Sequence, residues 1–240
     1  MKATSLFQRL STLDSEPAFR NANKRLGKSA FDDLVDPDEK GQASAQMASR
    51  EANRMRSEEC LSVVDSTHLY SAAILNVFQR VTNISTRYGD GSFPVWYGCL
   101  NSQTTIWETA YHMIREEIGR RGRQGIIERH RTIYEVSCTA ILVDLTGEAE
   151  HLPKLTTSTN YSFTQQIGRR VKTEGHPGLL APSARQRDGK NLVVFHPKIL
   201  SNPKVGRNLI YQFDPEAMRV HVVDAANNKS VMSVDGKIWF

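Results

Sequence analysis

The chain is short of cysteine and without a long apolar run. Cys60, Cys99 and Cys138 stand singly, in an odd count and with no paired metal spacing. That fits a reduced, cytoplasmic protein with buried thiols better than a disulfide framework. No apolar stretch approaches the roughly 18 residues of a membrane-spanning helix. Met1 to Leu10 lacks the apolar core of a secretory signal. Gly-x-Ser-x-Gly is absent, which argues against a serine nucleophile. Gly89-Asp90-Gly91 is neither a Walker loop nor a Rossmann fingerprint. The seven histidines show no ligand spacing with cysteine, so no zinc or other metal is implied. Internal repeats and low-complexity tracts are also missing.

What is present has an ordinary globular balance, 39% hydrophobic and 24% charged over 240 residues. That length suits one substantial domain plus an extension. The net charge of +5 is unevenly spread: residues 1–66 come to about −1 and residues 67–240 to +6. A basic domain suits nucleic acid, an acidic protein or a phosphorylated small molecule, and so modest an excess does not require nucleic acid.

The texture divides the chain near residue 67. Residues 1–66 are polar, with few aromatics and no alternating strands, and read as a helical extension, with a helix expected over 41–64 after the turn at Asp36-Pro37. Residues 68–80 are apolar enough for a buried element, expected to end as a strand. A short strand is expected at 94–98, then a helix from a cap at Asn101 or Ser102 to about Gly119. On that helix Ile106, Ala110, Met113, Ile114 and Ile118 share one face. A basic loop, 119–125, precedes a central strand over 132–145. An amphipathic helix over 161–173 has Ser158 or Thr159 as possible caps. Further strands are expected at 191–195, 208–213, 218–223 and 230–234. Few helices and many short strands out of regular alternation predict an α+β fold, with residues 67–240 as the main domain.

Four residues carry the chemistry: Arg87, Tyr97, Glu108 and Ser183. A guanidinium grips phosphate oxygens. A phenol offers a ring to stack on and a hydroxyl. A carboxylate stabilises a developing sugar cation, and a hydroxyl at a turn positions ribose or phosphate. The set suits cleavage of a dinucleotide such as NAD+, taken as substrate and not as a tightly held redox cofactor. Each residue alone also has a plain reading: a solvated helix glutamate, a loop arginine, a half-buried strand tyrosine, a serine bonded to its own turn. Arg80 is a second candidate for the same anion. His112, four residues after Glu108, shares its helix face and is a candidate to line the cleft.

The spacing Arg-x9-Tyr-x10-Glu, followed by Gln165-Gln166-Ile167-Gly168, Gly178-Leu179-Leu180 and Pro182-Ser183-Ala184-Arg185, resembles the RES domain over roughly residues 68–215. Around Arg87 the family's Gly-Gly-Arg-Trp/Phe-Asn is replaced by Ser85-Thr86-Arg87-Tyr88-Gly89, which keeps an aromatic beside the arginine. The resemblance implies an ADP-ribosyltransferase-like core of short antiparallel and mixed strands with flanking helices. It also implies a toxin that degrades NAD+ by hydrolysis or phosphorolysis, neutralised by a Xre-like helix-turn-helix antitoxin, with a homodimer possible within that complex. Arg87, Tyr97, Glu108 and Ser183 are then catalytic, and Arg80, Tyr88, His112 and Arg185 bind substrate. A protein ADP-ribosyltransferase and a non-enzymatic basic binding module remain as alternatives.

Overall fold

The computed structural model of the chain describes residues 7–23, 69–79, 84–120 and 125–240. Among them eight strands form one sheet: β1 (Leu10–Asn23), β2 (Trp96–Cys99), β3 (Ile127–Asp144), β4 (Gly178–Pro182), β5 (Lys190–Val194), β6 (Leu200–Asp214), β7 (Arg219–Asp224) and β8 (Ser230–Asp235). The order is β1-β2-β5-β4-β3-β6-β7-β8, and β1 also pairs with β3. That second pairing closes the first five strands into a ring, from which β6, β7 and β8 continue as an antiparallel extension. All pairings are antiparallel except β3 with β4. A π-helical turn (Ser71–Leu75) runs into the short helix α1 (Asn76–Phe78); α2 (Ser102–Ile118) and α3 (Ser162–Thr173) complete the helices. The fold is α+β.

Local sequence explains the two longer helices. Asn101, in extended conformation, caps α2 by accepting the Thr104 N–H at 2.7 Å. Such a cap contributes about 1 kcal/mol. Ile106, Ala110, Met113 and Ile114 then bury one face of α2 against Tyr211 and Phe213 of β6, Val220 and Val222 of β7, and Val234 of β8. Ile118, expected on the same face, is 47% exposed, because the stripe has rotated away from the sheet by the last turn. On α3, Ile167 and Val171 pack onto Leu179, Ala181 and Val193. Tyr161 occupies its N-cap position without a side-chain cap, and Asn160 instead accepts the Ser162 N–H at 3.0 Å. The cap expected at Ser158 or Thr159 thus lies two to three residues too early.

Two expectations are corrected. Residues 10–23, read as part of a helical extension, form β1, which pairs with β3 from Leu10↔Val143 to Asn23↔Arg131. Only Leu13 and Ala18 of this strand are buried, so its sequence is mostly polar. Its place comes from backbone pairing, with a bulge between Leu13 and Glu16 where Ser15 adopts φ 54°. The helix expected over 41–64 lies outside the described residues. Residues 71–78, expected to end as a strand, are helical. Ala73 and Ile74 insert into the core, and the Ala73 carbonyl accepts the Trp96 Nε1–H at 2.8 Å. A short apolar run fits either a buried helix or a buried strand, and here the indole of Trp96 needs a carbonyl that this turn supplies.

Candidate active site

Register across β2, β5 and β4 assembles the site. Tyr97 lies opposite Val193, which lies opposite Leu179; Cys99 lies opposite Asn191, which lies opposite Ala181. Residues two apart on a strand share a face, so Tyr97, Cys99 and Asn191 are all on one side. The chain leaves β4 at Pro182, and Ser183 follows directly. Thr109, one residue after Glu108 on α2, bonds the hydroxyl of Tyr211 on β6, which also receives the Asn21 amide at 2.6 Å. These bonds fix α2 over the sheet at the level of Glu108.

Glu108 is the centre of a pinned cluster. Its Oε1 accepts the Ser183 hydroxyl at 2.7 Å and the Asn191 Nδ2–H at 2.9 Å. Ser183 Oγ in turn accepts the backbone N–H groups of Arg185 and Gln186, both at 3.1 Å, so the turn that carries it is closed on its own hydroxyl. Asn191 Oδ1 accepts the Cys99 thiol at 3.2 Å. Burial pushes the Cys99 thiol well up, and the nearby Glu108 charge adds to this, so it stays an S–H donor. That donor fixes the amide with its oxygen toward Cys99 and its NH2 toward Glu108. With Oε1 engaged twice, Oε2 of Glu108 has no hydrogen-bond partner among the described residues.

Arg87 and Tyr97 form the second half. The Tyr97 hydroxyl lies 2.8 Å from Thr86 Oγ1 and accepts the Tyr88 N–H at 2.9 Å. Burial pushes its pKa up to about 12, so it remains a neutral phenol. The expected stacking residue is therefore also the staple of the loop that carries Arg87. Arg87 Nη1 donates to the carbonyls of Leu155 at 3.1 Å and Thr157 at 2.8 Å, and the guanidinium lies 4.6 Å from the Tyr161 ring centroid. Gln165 on α3 braces the same loop through Ser85 and Thr86, and Arg169 pairs with Asp90. Gly168 lets α3 approach so closely that a Cβ there would run into the Tyr88 carbonyl.

The remaining expected residues are placed as follows. Tyr88 is buried, with its hydroxyl unpartnered among the described residues. His112 keeps surface open on α2 and lies edge-on to Tyr111 at 5.4 Å; the packing around its ring lowers its pKa, with the Glu108 charge opposing this and Arg185 adding to it. Arg185 is 7% exposed, with its Cζ only 3.2 Å from the Tyr111 ring centroid. Burial lowers its pKa, the charge of Glu108 opposes this and the charge of Arg87 adds to it. Arg80 lies outside the described residues. Among the described residues no three His, Cys, Asp or Glu side chains group so as to hold a metal, and no helix is long and apolar enough to cross a membrane. A surface hollow of about 540 Å³ lies apart from Glu108, along α3 between Asp90 and Glu174. Its lining is mostly exposed and carries none of the residues that pin the carboxylate.

A model of the RES domain matches residues 78–214, more than half of the chain. The chain belongs to the RES domain family. No curated protein matches it. The RES match begins at the end of α1 and closes with β6, so Arg87, Tyr97, Glu108, Ser183 and Asn191 all fall within it. β1, β7, β8 and the residues after them fall outside. Asn191 is not marked out by the sequence, where it only opens an apolar strand. Its signal is the pairing opposite Cys99, which becomes visible only once the register of β2 and β5 is known.

Proposed function

We propose that this RES domain cleaves the nicotinamide–ribose bond of NAD+. The observation that carries the reading is the Glu108 carboxylate, held by Ser183 and Asn191 through one oxygen with the other open, inside reach of the Arg87 and Arg185 charges. A pinned carboxylate suits a sugar that becomes cationic. A basic surround suits the phosphates of a dinucleotide. Membership of the RES family supports the same class of chemistry, and the mixed sheet with flanking helices suits an ADP-ribosyltransferase-like fold.

In this reaction the C1′–N bond breaks, and its electron pair goes to the pyridinium nitrogen, which leaves as neutral nicotinamide. Positive charge builds on the ribose carbon and ring oxygen. Oε2 of Glu108 faces that charge or binds a ribose hydroxyl, while Oε1 is kept from rotating away by its two donors. Water or phosphate then forms the new C1′–O bond and releases a proton to solvent. Tyr97 acts here by fixing the Arg87 loop, and Ser183 by holding Glu108. In this reading the protein is a cytoplasmic toxin, and its partner is a Xre-like helix-turn-helix antitoxin.

Mass spectrometry of NAD+ incubated with the purified protein, with and without phosphate, tests the reaction. Release of nicotinamide with ADP-ribose, or with its 1″-phosphate when phosphate is present, supports it. Glu108→Ala and Arg87→Ala should abolish the release while leaving the circular dichroism unchanged. Equal NAD+ loss in wild type and Glu108→Ala refutes the assignment. Label appearing on a protein acceptor instead of small products moves the reaction to ADP-ribosyl transfer.

A further inference from the structure

The RES match ends at residue 214, yet the chain continues through β7 and β8 into a tail that returns to the site. After β8 the chain makes a 3-10 turn, Gly236–Ile238. Asp235 caps it by accepting the Lys237 N–H at 3.0 Å. Gly236 is buried, donating its N–H to the Met218 carbonyl at 2.7 Å. A Cβ there would press on Ile114 of α2 and on that same carbonyl. The turn is thus seated tightly on α2, and it delivers Trp239 and Phe240 to Tyr111.

Tyr111 is enclosed by this tail. Phe240 lies parallel to it, with ring centroids 5.4 Å apart and planes 12° apart. Trp239 meets it edge-on at 5.4 Å, and is itself braced edge-on by Trp107 at 5.7 Å. The Arg185 guanidinium sits over the ring of Tyr111. Arg185 is a buried cation that has no ion pair and no side-chain hydrogen bond among the described residues, and its Nε is buried and unpartnered. Glu108 is close enough for its charge to favour the Arg185 cation but makes no ion pair with it, and a buried guanidinium left without direct partners gains from an arriving anion. Arg87, by contrast, already spends Nη1 on two carbonyls.

We propose that Arg185 is the anion subsite of this protein, taking the diphosphate of the substrate, and that Trp239 and Phe240 position it by clamping Tyr111. The identity of the substrate rests on the NAD+ reading above; the anion subsite and its aromatic clamp do not. The tail acts as a positioning element, because its ring contacts are to Tyr111 and Trp107.

The test uses the full-length protein and inorganic pyrophosphate as probe, with affinity measured by calorimetry at low salt and KM and kcat measured for NAD+. Arg185→Lys keeps the charge but loses the planar fork and its stacking, and should weaken pyrophosphate at least tenfold. Phe240→Ala should raise both the pyrophosphate Kd and the NAD+ KM by about tenfold, the scale of one lost ring stack, while changing kcat less than threefold. Phe240→Tyr, which keeps the ring, should restore both. Phe240 is half-exposed, so its loss leaves the core intact; if Trp239→Ala fails to fold, the Phe240 pair still decides the matter. A Phe240→Ala protein that binds pyrophosphate as tightly as wild type overturns the clamp, and an Arg185→Lys protein that does so overturns the subsite. Pyrophosphate binding that depends on Arg185 in a protein that leaves NAD+ intact upholds the subsite and removes the NAD+ reading. NAD+ cleavage indifferent to both residues does the reverse.

Discussion

Asn191 offers the sharpest test of how the carboxylate is held. Its amide gives Glu108 one of two hydrogen bonds to Oε1, at 2.9 Å, and is itself locked by the Cys99 thiol. A hydrogen bond to a charged acceptor contributes about 1.5–3 kcal/mol. If Glu108 acts on the ribose cation, Asn191→Ala should lower kcat/KM by that amount, roughly 10- to 150-fold. Only the part of this hold that keeps Oε2 aimed at the developing ribose charge counts toward the transition state, so the loss should appear mainly in kcat. Stability should fall by up to the same amount, about 1.5–3 kcal/mol, because the amide–carboxylate bond is lost in the folded state too. Asn191→Asp makes the opposite kind of demand. It sets a second carboxyl about 3 Å from Glu108, and like charges at that range raise the pKa of one of them. A protonated new carboxyl can still donate to Oε1; an ionised one repels it. Activity of Asn191→Asp should therefore rise as pH falls below neutral, relative to wild type measured in parallel. Steady-state NAD+ kinetics from pH 5 to 8, with thermal melts as a control, read both effects. Asn191→Ala within threefold of wild type would refute the idea that the amide holds the catalytic carboxylate.

Three further outcomes are expected. Tyr97→Phe removes the hydroxyl shared by Thr86 and the Tyr88 N–H, strands that buried N–H, and should cost about 1–3 kcal/mol while raising KM through a looser Arg87 loop; a melting temperature and KM both unchanged would show that the staple is idle. Gly168→Ala forces α3 off the Tyr88 carbonyl and should destabilise by about 1–3 kcal/mol or more, read by denaturant unfolding, where a neutral result contradicts the close approach. Asp144 is nearly buried; burial alone would raise its carboxyl, but the Ser11 hydroxyl at 2.6 Å, the Thr146 hydroxyl and N–H, and Arg9 outweigh this and hold it below the usual range. That stability is present above the unfolded pKa of about 3.9 and is lost as pH falls through the lower folded value. Asp144→Asn should accordingly lower the melting temperature at pH 7 by about 4–8 °C, for a loss of about 2 kcal/mol, and should have little effect near pH 2. Equal losses at both pH values would mean that the charge is not what matters.

Legibility in the sequence followed local determination. α2 could be read because its cap, its apolar stripe and its terminal glycine lie within twenty residues. The long strand β3 and the tail strands were visible from apolar alternation, though β3 and β6 extend further than their apolar parts because paired backbone continues where side chains turn polar. β1 was not legible: Ser11, Asp14, Ser15, Glu16 and Asn23 carry no strand signal, and only the partner strand confers one. In the site, Glu108 and Ser183 were legible as residues and meet at 2.7 Å. The occupation of Tyr97 by its own loop, and of Arg87 by two carbonyls, could not be read, since both depend on contacts 9 to 70 residues away in sequence.

The closure of the ring by β1 also has a consequence in time. Leu10 pairs with Val143, so the first strand to be synthesised waits for the third before it has its long partner. At about 5–20 residues per second, the more than one hundred residues between them take roughly 7–30 s to make. Through that interval the ring is open, and the frame that carries Tyr97 and Glu108 is incomplete. Ser183, Asn191 and the aromatic tail follow later still. Such distant pairing also makes for slow folding once the chain is whole. The side chains proposed to act together therefore come into place late, delayed by the topology that closes the ring.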